Sequence, residues 1–201
     1  MVEALRMEPS RRRAIEDAAS TLFRARGYAA TSVRDIARAL ELQGPSLYAH
    51  VTSKEDVLWA IVDRTATHFE TAADLAAAGR AAADHPAETL AALVRGHVRV
   101  ITDDVGAAAV FIHEWRALSG ERRALILARR DAYEGRFREV VVEGIAGGEF
   151  GLTDPAIAAT AILAALNGIP AWYDPTGRLT PDRIADQFAD LALRMLMGAP
   201  R

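Results

Sequence analysis

Apolar residues recur along this chain at the three-and-four spacing of helices. Ile15, Ala18, Ala19, Leu22 and Phe23 form an i, i+3, i+4, i+7, i+8 series. It predicts an amphipathic helix ending at Gly27, where a left-handed cap fits. Val33, Ile36, Ala37 and Leu40 then share one face of a short helix, with Arg34, Asp35 and Arg38 turned away. Thr31 and Ser32 both precede it, and either hydroxyl can cap it. Gly44-Pro45 reads as the start of another short helix, because proline at the first position gives up a donor that has no partner there. Leu47 and Val51 would pack that helix on Ile36 and Leu40.

From Lys54 onward the pattern is helix after helix. One runs from Lys54 to about Ala78 on Val57, Leu58, Ile61 and Val62, and an alanine-rich connection covers Gly79 to His85. Pro86 starts a helix to about Thr102, and another runs from Gly106 or Ala107 to Leu118. Ser119 should cap a long helix, with Glu121 in its first turn, that Gly147-Gly148 ends. Asp154-Pro155 and Thr180-Pro181 each read as cap followed by proline, opening helices to Asn167-Gly168 and to about Met197. Val140-Val141-Val142 is the nearest approach to a strand, but it sits inside a helical pattern. The expected fold is all-α.

Residues 31–56 therefore have the layout of a helix-turn-helix. Its second helix would leave Gln43, Gly44, Ser46, Ala49 and His50 outward, groups small and polar enough to enter a major groove. Arg11, Arg12 and Arg13 form the densest cationic cluster, at an expected N-terminal arm. That arm either lies over phosphate or in a minor groove, or is a solvated terminus.

The order of Phe23, Gly27-Tyr28, Thr31-Ser32, Ile36-Ala37, Ser46-Leu47-Tyr48, His50 and Ser53-Lys54-Glu55 resembles the DNA-binding domain of the tetracycline-repressor (TetR) family over residues 11–58. The resemblance implies that Thr31, Tyr48, His50 and Lys54 contact phosphate. It also implies that Gln43, Gly44, Pro45, Ser46 and Ala49 form the base-reading segment. Three positions depart from the family: Glu41 stands where glycine is usual, Gln43 where a serine or threonine cap is usual, and Val51 where phenylalanine is usual. Tyr48 packing on the first helix, His50 as a surface residue and Lys54 pairing with acids of its own helix remain open alternatives.

Beyond residue 56 the last two helices suggest a dimer surface. Ile157, Ala161, Leu163, Ala164 and Leu166 lie on one, and Ile184, Phe188, Leu191 and Met195 stripe the other. Two such helices per subunit would make a four-helix interface, and paired recognition helices about 34–36 Å apart would read a two-fold site. Packing within one subunit is the alternative. Gly148-Glu149-Phe150, Asp154-Pro155, Asn167-Gly168, Trp172-Tyr173, Gly177-Arg178-Leu179 and residues 182–190 resemble the C-terminal half of a TetR subgroup that includes regulators of fatty-acid and steroid breakdown. Members of that subgroup sense acyl-coenzyme A thioesters.

A small-molecule pocket is expected among the middle helices, where Phe69, His97, Ile101, Phe111, Ile112, Trp115, Tyr133 and Phe137 gather bulky and hydrogen-bonding groups. The same cluster can equally be plain core. His97 and His113 are sixteen apart without a carboxylate at ligand spacing, so no metal is expected. No cofactor is expected either.

Composition narrows the function classes. The chain has 201 residues, is 51% hydrophobic, has no cysteine and carries a formal charge of −3. It has no apolar run that would cross a bilayer and no signal-peptide segment, so a soluble cytoplasmic protein is expected. Residues 1–56 hold nine Arg and Lys against eight acids. DNA binding must then rest on a local arrangement of cations and helix ends, with no broad basic surface. No Gly-rich phosphate loop, Gly-x-Ser-x-Gly elbow or His-Glu-x-x-His site is present, which argues against an enzyme. The expected molecule has a DNA-binding domain at 1–56 and a ligand-binding and dimerisation domain at 57–201. It would be a homodimeric regulator, which the resemblance implies is a repressor, released from its operator by a small apolar or acyl-coenzyme A-like effector. A helical enzyme and a ligand-independent DNA-binding or interaction module are the rival readings.

Overall fold

The computed structural model describes residues 2–42, 51–80 and 85–197. Among them are eight α-helices and no strand: α1 (Val2–Arg26), α2 (Val33–Ala39), α3 (Lys54–Arg80), α4 (Pro86–Asp103), α5 (Val105–His113), α6 (Gly120–Ala146), α7 (Pro155–Asn167) and α8 (Pro181–Met197). Single 3-10 turns occupy Trp115–Ala117 and Ile169–Ala171. The chain divides into two compact units, one of Met1–Thr65 with Gly106–Ile126, the other of Ala66–Val105 with Leu127–Arg201. This division does not follow a single cut at 56/57. α3 runs unbroken past that point, so its first three turns belong to one unit and the rest to the other.

In the first unit, Ile15, Ala19 and Phe23 of α1, Ile36 and Ala37 of α2, and Val57, Leu58, Ile61 and Val62 of α3 are buried. Burying each large aliphatic or aromatic side chain contributes roughly 1.5–3 kcal/mol. Gly27, with φ of +82°, closes α1 by donating its N–H to the Phe23 carbonyl at 2.8 Å. Arg11, Arg12 and Arg13 do not form an arm. They lie within α1, where Arg12 faces Glu16 at 3.6 Å and Arg13 faces Asp17 at 2.9 Å. The helix at 106–118 also differs from expectation: it breaks after His113, and the chain tightens into the 3-10 turn that seats the buried Trp115. Ser119 does not cap α6 with its hydroxyl, which donates instead to Glu55 at 2.9 Å.

In the second unit, α4 packs chiefly on α8. Leu90, Val94, Val98 and Ile101 are buried on the one, and Ile184, Ala185, Ala189, Ala192 and Leu196 on the other. Arg95 to Asp186 (2.7 Å) and Arg99 to Asp182 (3.4 Å) flank the pair. The order of the partners sets the two helices antiparallel. Asp154 caps α7, accepting from Ala156 N (2.8 Å) and Ile157 N (3.2 Å). Gly144 meets the Phe150 ring so closely that an added Cβ would lie 2.1 Å from it.

Candidate DNA-binding unit and effector cluster

α2 is fixed at both ends. Ser32 and Asp35 form a reciprocal capping box, in which Ser32 N donates to the Asp35 carboxylate (2.9 Å) and Asp35 N to Ser32 Oγ (3.2 Å). Of the two candidate caps, Ser32 is the one used. At the other end Leu42 N donates to the Ala37 carbonyl (2.9 Å) and Glu41 N to that of Arg38 (3.1 Å), the paired bonds of a Schellman motif. Glu41 occupies its left-handed position with φ of +55°. The departure from glycine noted in the sequence therefore falls where a side chain is strained.

Thr31 is 1% exposed, and its hydroxyl donates to the Gly27 carbonyl at 2.9 Å. The Lys54 ammonium donates to the carbonyls of Tyr28 and Thr31, both at 2.9 Å, and lies 4.1 Å from the centre of the Tyr28 ring. This clamp ties the α1–α2 turn to the first residue of α3. Neither phosphate contact nor pairing with acids of its own helix anticipated it, because backbone carbonyls have no side-chain signature.

The start of α3 is bound further. Asp56 accepts from the hydroxyls of Thr52 and Ser53 and, at 2.7 Å, from Arg122, and these donors hold its carboxyl down at about 2. Glu16, buried on α1, pairs with Arg64 of α3. The remaining DNA-binding candidates, Gln43, Gly44, Pro45, Ser46, Tyr48, Ala49 and His50, lie outside the described residues.

The second unit gathers Phe69, His97, Tyr133 and Phe137 into one aromatic cluster. The His97 ring centre is 4.6 Å from Phe69, 5.7 Å from Tyr133 and 6.5 Å from Phe137. Ile101, one turn along α4, is fully buried. Phe111 and Trp115, grouped with these from the sequence, belong to the first unit. His97 Nδ1 lies 3.0 Å from the Tyr133 hydroxyl. Its Nε2 is buried and has no hydrogen-bond partner among the described residues. Burial, reinforced by the Arg130 charge, pushes the imidazole down to about 3, while the nearby Asn167 side chain favours its charged form without reaching Nε2 in hydrogen-bond geometry. Burial raises the Tyr133 hydroxyl far above its usual value. Both groups are neutral at pH 7. The sequence reading missed Asn167 and Arg130 as neighbours of His97; Asn167 drew notice only as a helix end. Among the described residues no cluster of metal-ligating side chains occurs, and no helix is long and apolar enough to cross a membrane.

On α7 and α8, Ile157, Ala161, Ala164, Leu191 and Met195 are exposed. Phe188 is half-buried and stacks on Trp172 at 6.3 Å. Leu163, Leu166 and Ile184 are corrections to the interface expected from the sequence: all three are buried in the chain's own core, Ile184 because α8 turns that side toward α4.

Comparison with known proteins follows the same two-part order. Residues 15–61 match the family described as bacterial regulatory proteins, tetR family, and residues 83–196 match the tetracyclin repressor-like C-terminal domain. The HTH-type transcriptional repressor KstR2 of Rhodococcus jostii (strain RHA1) is 32% identical over 192 residues, covering 91% of this chain and 89% of its own. The crystal structure of AibR in complex with isovaleryl coenzyme A and operator DNA is 31% identical with a TM-score of 0.77, covering 90% of this chain and 97% of that one. The ketosteroid transcriptional regulator KstR2 of Mycobacterium tuberculosis shares the fold at a TM-score of 0.86 and 24% identity, covering 94% and 96%. With one family model matching the N-terminal part and a second matching the C-terminal part, this chain belongs to the tetR family of bacterial regulatory proteins.

Proposed function

We propose that this protein is a ligand-responsive transcriptional repressor that binds a two-fold operator as a homodimer and leaves it when an acyl-coenzyme A-type effector binds. The observation that carries the reading is α3. One unbroken helix holds Lys54, which clamps the α1–α2 turn, and Phe69, about four turns later, which belongs to the His97 cluster. An effector that prefers one arrangement of that cluster then has a direct mechanical link to the DNA-binding frame, provided its affinity differs between two states of the protein. The repressor KstR2 and the complex of AibR with isovaleryl coenzyme A and operator DNA support both halves of the reading.

Within it, Gln43, Gly44, Pro45, Ser46 and Ala49 read bases, and Tyr48 and His50 contact phosphate. Thr31 and Lys54 act as the frame that sets their position. The exposed face of Ile157, Ala161, Ala164, Leu191 and Met195, with Phe188, meets a second copy of the chain. The protein regulates without turning over a substrate, and it works in the cytoplasm, where its DNA lies.

The test is selection of bound duplexes from a random library at stated salt, because phosphate contacts make affinity salt-dependent. An enriched inverted repeat, released by acyl-coenzyme A, is the expected result. No enrichment at low or moderate salt would sink the proposal.

A further inference from the structure

Taking the second unit as the effector-binding half, as proposed above, we infer that His97 Nε2–H is the hydrogen-bond donor for the carbonyl oxygen of an acyl ligand lying against Phe69, Tyr133 and Phe137. The His97–Tyr133 contact carries one phenol proton and one imidazole proton.

Two placements satisfy its 3.0 Å separation. In the first, Nδ1–H donates to the phenol. The Tyr133 proton is then left without an acceptor and the Nε2 lone pair without a donor, since neither group has a second hydrogen-bond partner among the described residues. In the second, the phenol donates to Nδ1 and only Nε2–H is unpaired. An unpaired polar group in an apolar site is costly, so the placement with one orphan prevails over that with two. The cluster therefore holds a single buried N–H donor.

The chemistry of its partner follows. The donor is neutral, since burial holds the imidazole uncharged at pH 7. Three aromatic rings have their centres within 6.5 Å of the His97 ring centre, a lining that suits an apolar chain, and the Arg130 charge and the Asn167 side chain also act on the imidazole. A neutral carbonyl with an apolar chain suits both the donor and the rings. In a thioester, that carbonyl is the feature that distinguishes it from the matching thioether.

The test titrates the full-length protein calorimetrically with coenzyme A thioesters from isovaleryl to octanoyl, and with the S-alkyl thioethers of the same chains. Wild type is expected to bind the thioester about 10-fold more tightly, the worth of one neutral hydrogen bond. His97→Phe should abolish that preference, so that thioester and thioether bind alike. Nitrogen-15 NMR of the wild-type histidines needs no variant: the Nε2-protonated tautomer is expected, with a shift that responds to thioester and not to thioether. Equal binding of the two by wild type, an Nδ1-protonated ring, or equal losses in His97→Phe would overturn the inference while leaving the effector reading intact. If no coenzyme A compound binds, the effector reading itself fails and takes the inference with it.

Discussion

In the first unit Lys54 points every available interaction inward, with two carbonyls at 2.9 Å and an aromatic face at 4.1 Å, whereas in the second unit His97 pairs one ring nitrogen and leaves the other open. Both groups are polar and packed against the chain, Lys54 half-buried and His97 buried. The difference is satisfaction. A fully bonded polar group fixes the geometry around it, because any movement forfeits several contacts at once. A half-bonded one makes its surroundings less stable than they need be, and a ligand that completes it is favoured by the same amount. The first arrangement suits a frame that must present a helix at a fixed angle, the second a site whose state must change.

The largest expected effect tests the open group. His97 titrates near 3 in the folded chain, below its ordinary 6.5. Between those values the unfolded chain binds a proton that the folded chain does not. Stability should therefore rise with pH across that window, at up to about 1.4 kcal/mol per pH unit. It should be fully present above pH 6.5 and be lost as the pH falls toward 3. Urea midpoints from pH 4 to 7 should show this slope in wild type and a flatter one in His97→Phe. An unchanged slope would mean that the ring is solvated.

A smaller loss is expected from the satisfied group. Lys54→Met removes the donor to two carbonyls and should cost about 2 kcal/mol in denaturant unfolding. Operator affinity should fall with it. Full stability with weakened DNA binding would instead make Lys54 a phosphate contact.

The smallest effect runs the other way. Glu41 holds a left-handed backbone in a motif that favours glycine, so Glu41→Gly should stabilise the protein by about 0.5–1 kcal/mol. A loss of stability would show that the Glu41 side chain is needed.

How much of this was legible beforehand depends on what kind of atom carried the information. The helices were visible because side chains encode them: the Asp154 and Thr180 caps with the prolines that follow, and the apolar stripes of α4 and α8, stand where the pattern placed them. The coming together of Phe69, His97, Tyr133 and Phe137 was visible for the same reason. Ile184 was misread because a stripe of Ile184, Phe188, Leu191 and Met195 does not say which part of a helix faces its own subunit. The clamp at Lys54 was invisible, since its acceptors are main-chain carbonyls of residues 28 and 31 that any sequence supplies. Ser119 was read from its own helix when its partner was Glu55, 64 residues away in the chain.

Lys54 is also the only lysine in the chain. An amine-reactive reagent therefore has a single side-chain target, and in the folded protein that amine is held against two carbonyls and a tyrosine ring. Its modification rate reports how often the α1–α2 turn lifts from the start of α3, which makes the chain its own site-specific reporter of opening at the DNA-binding frame.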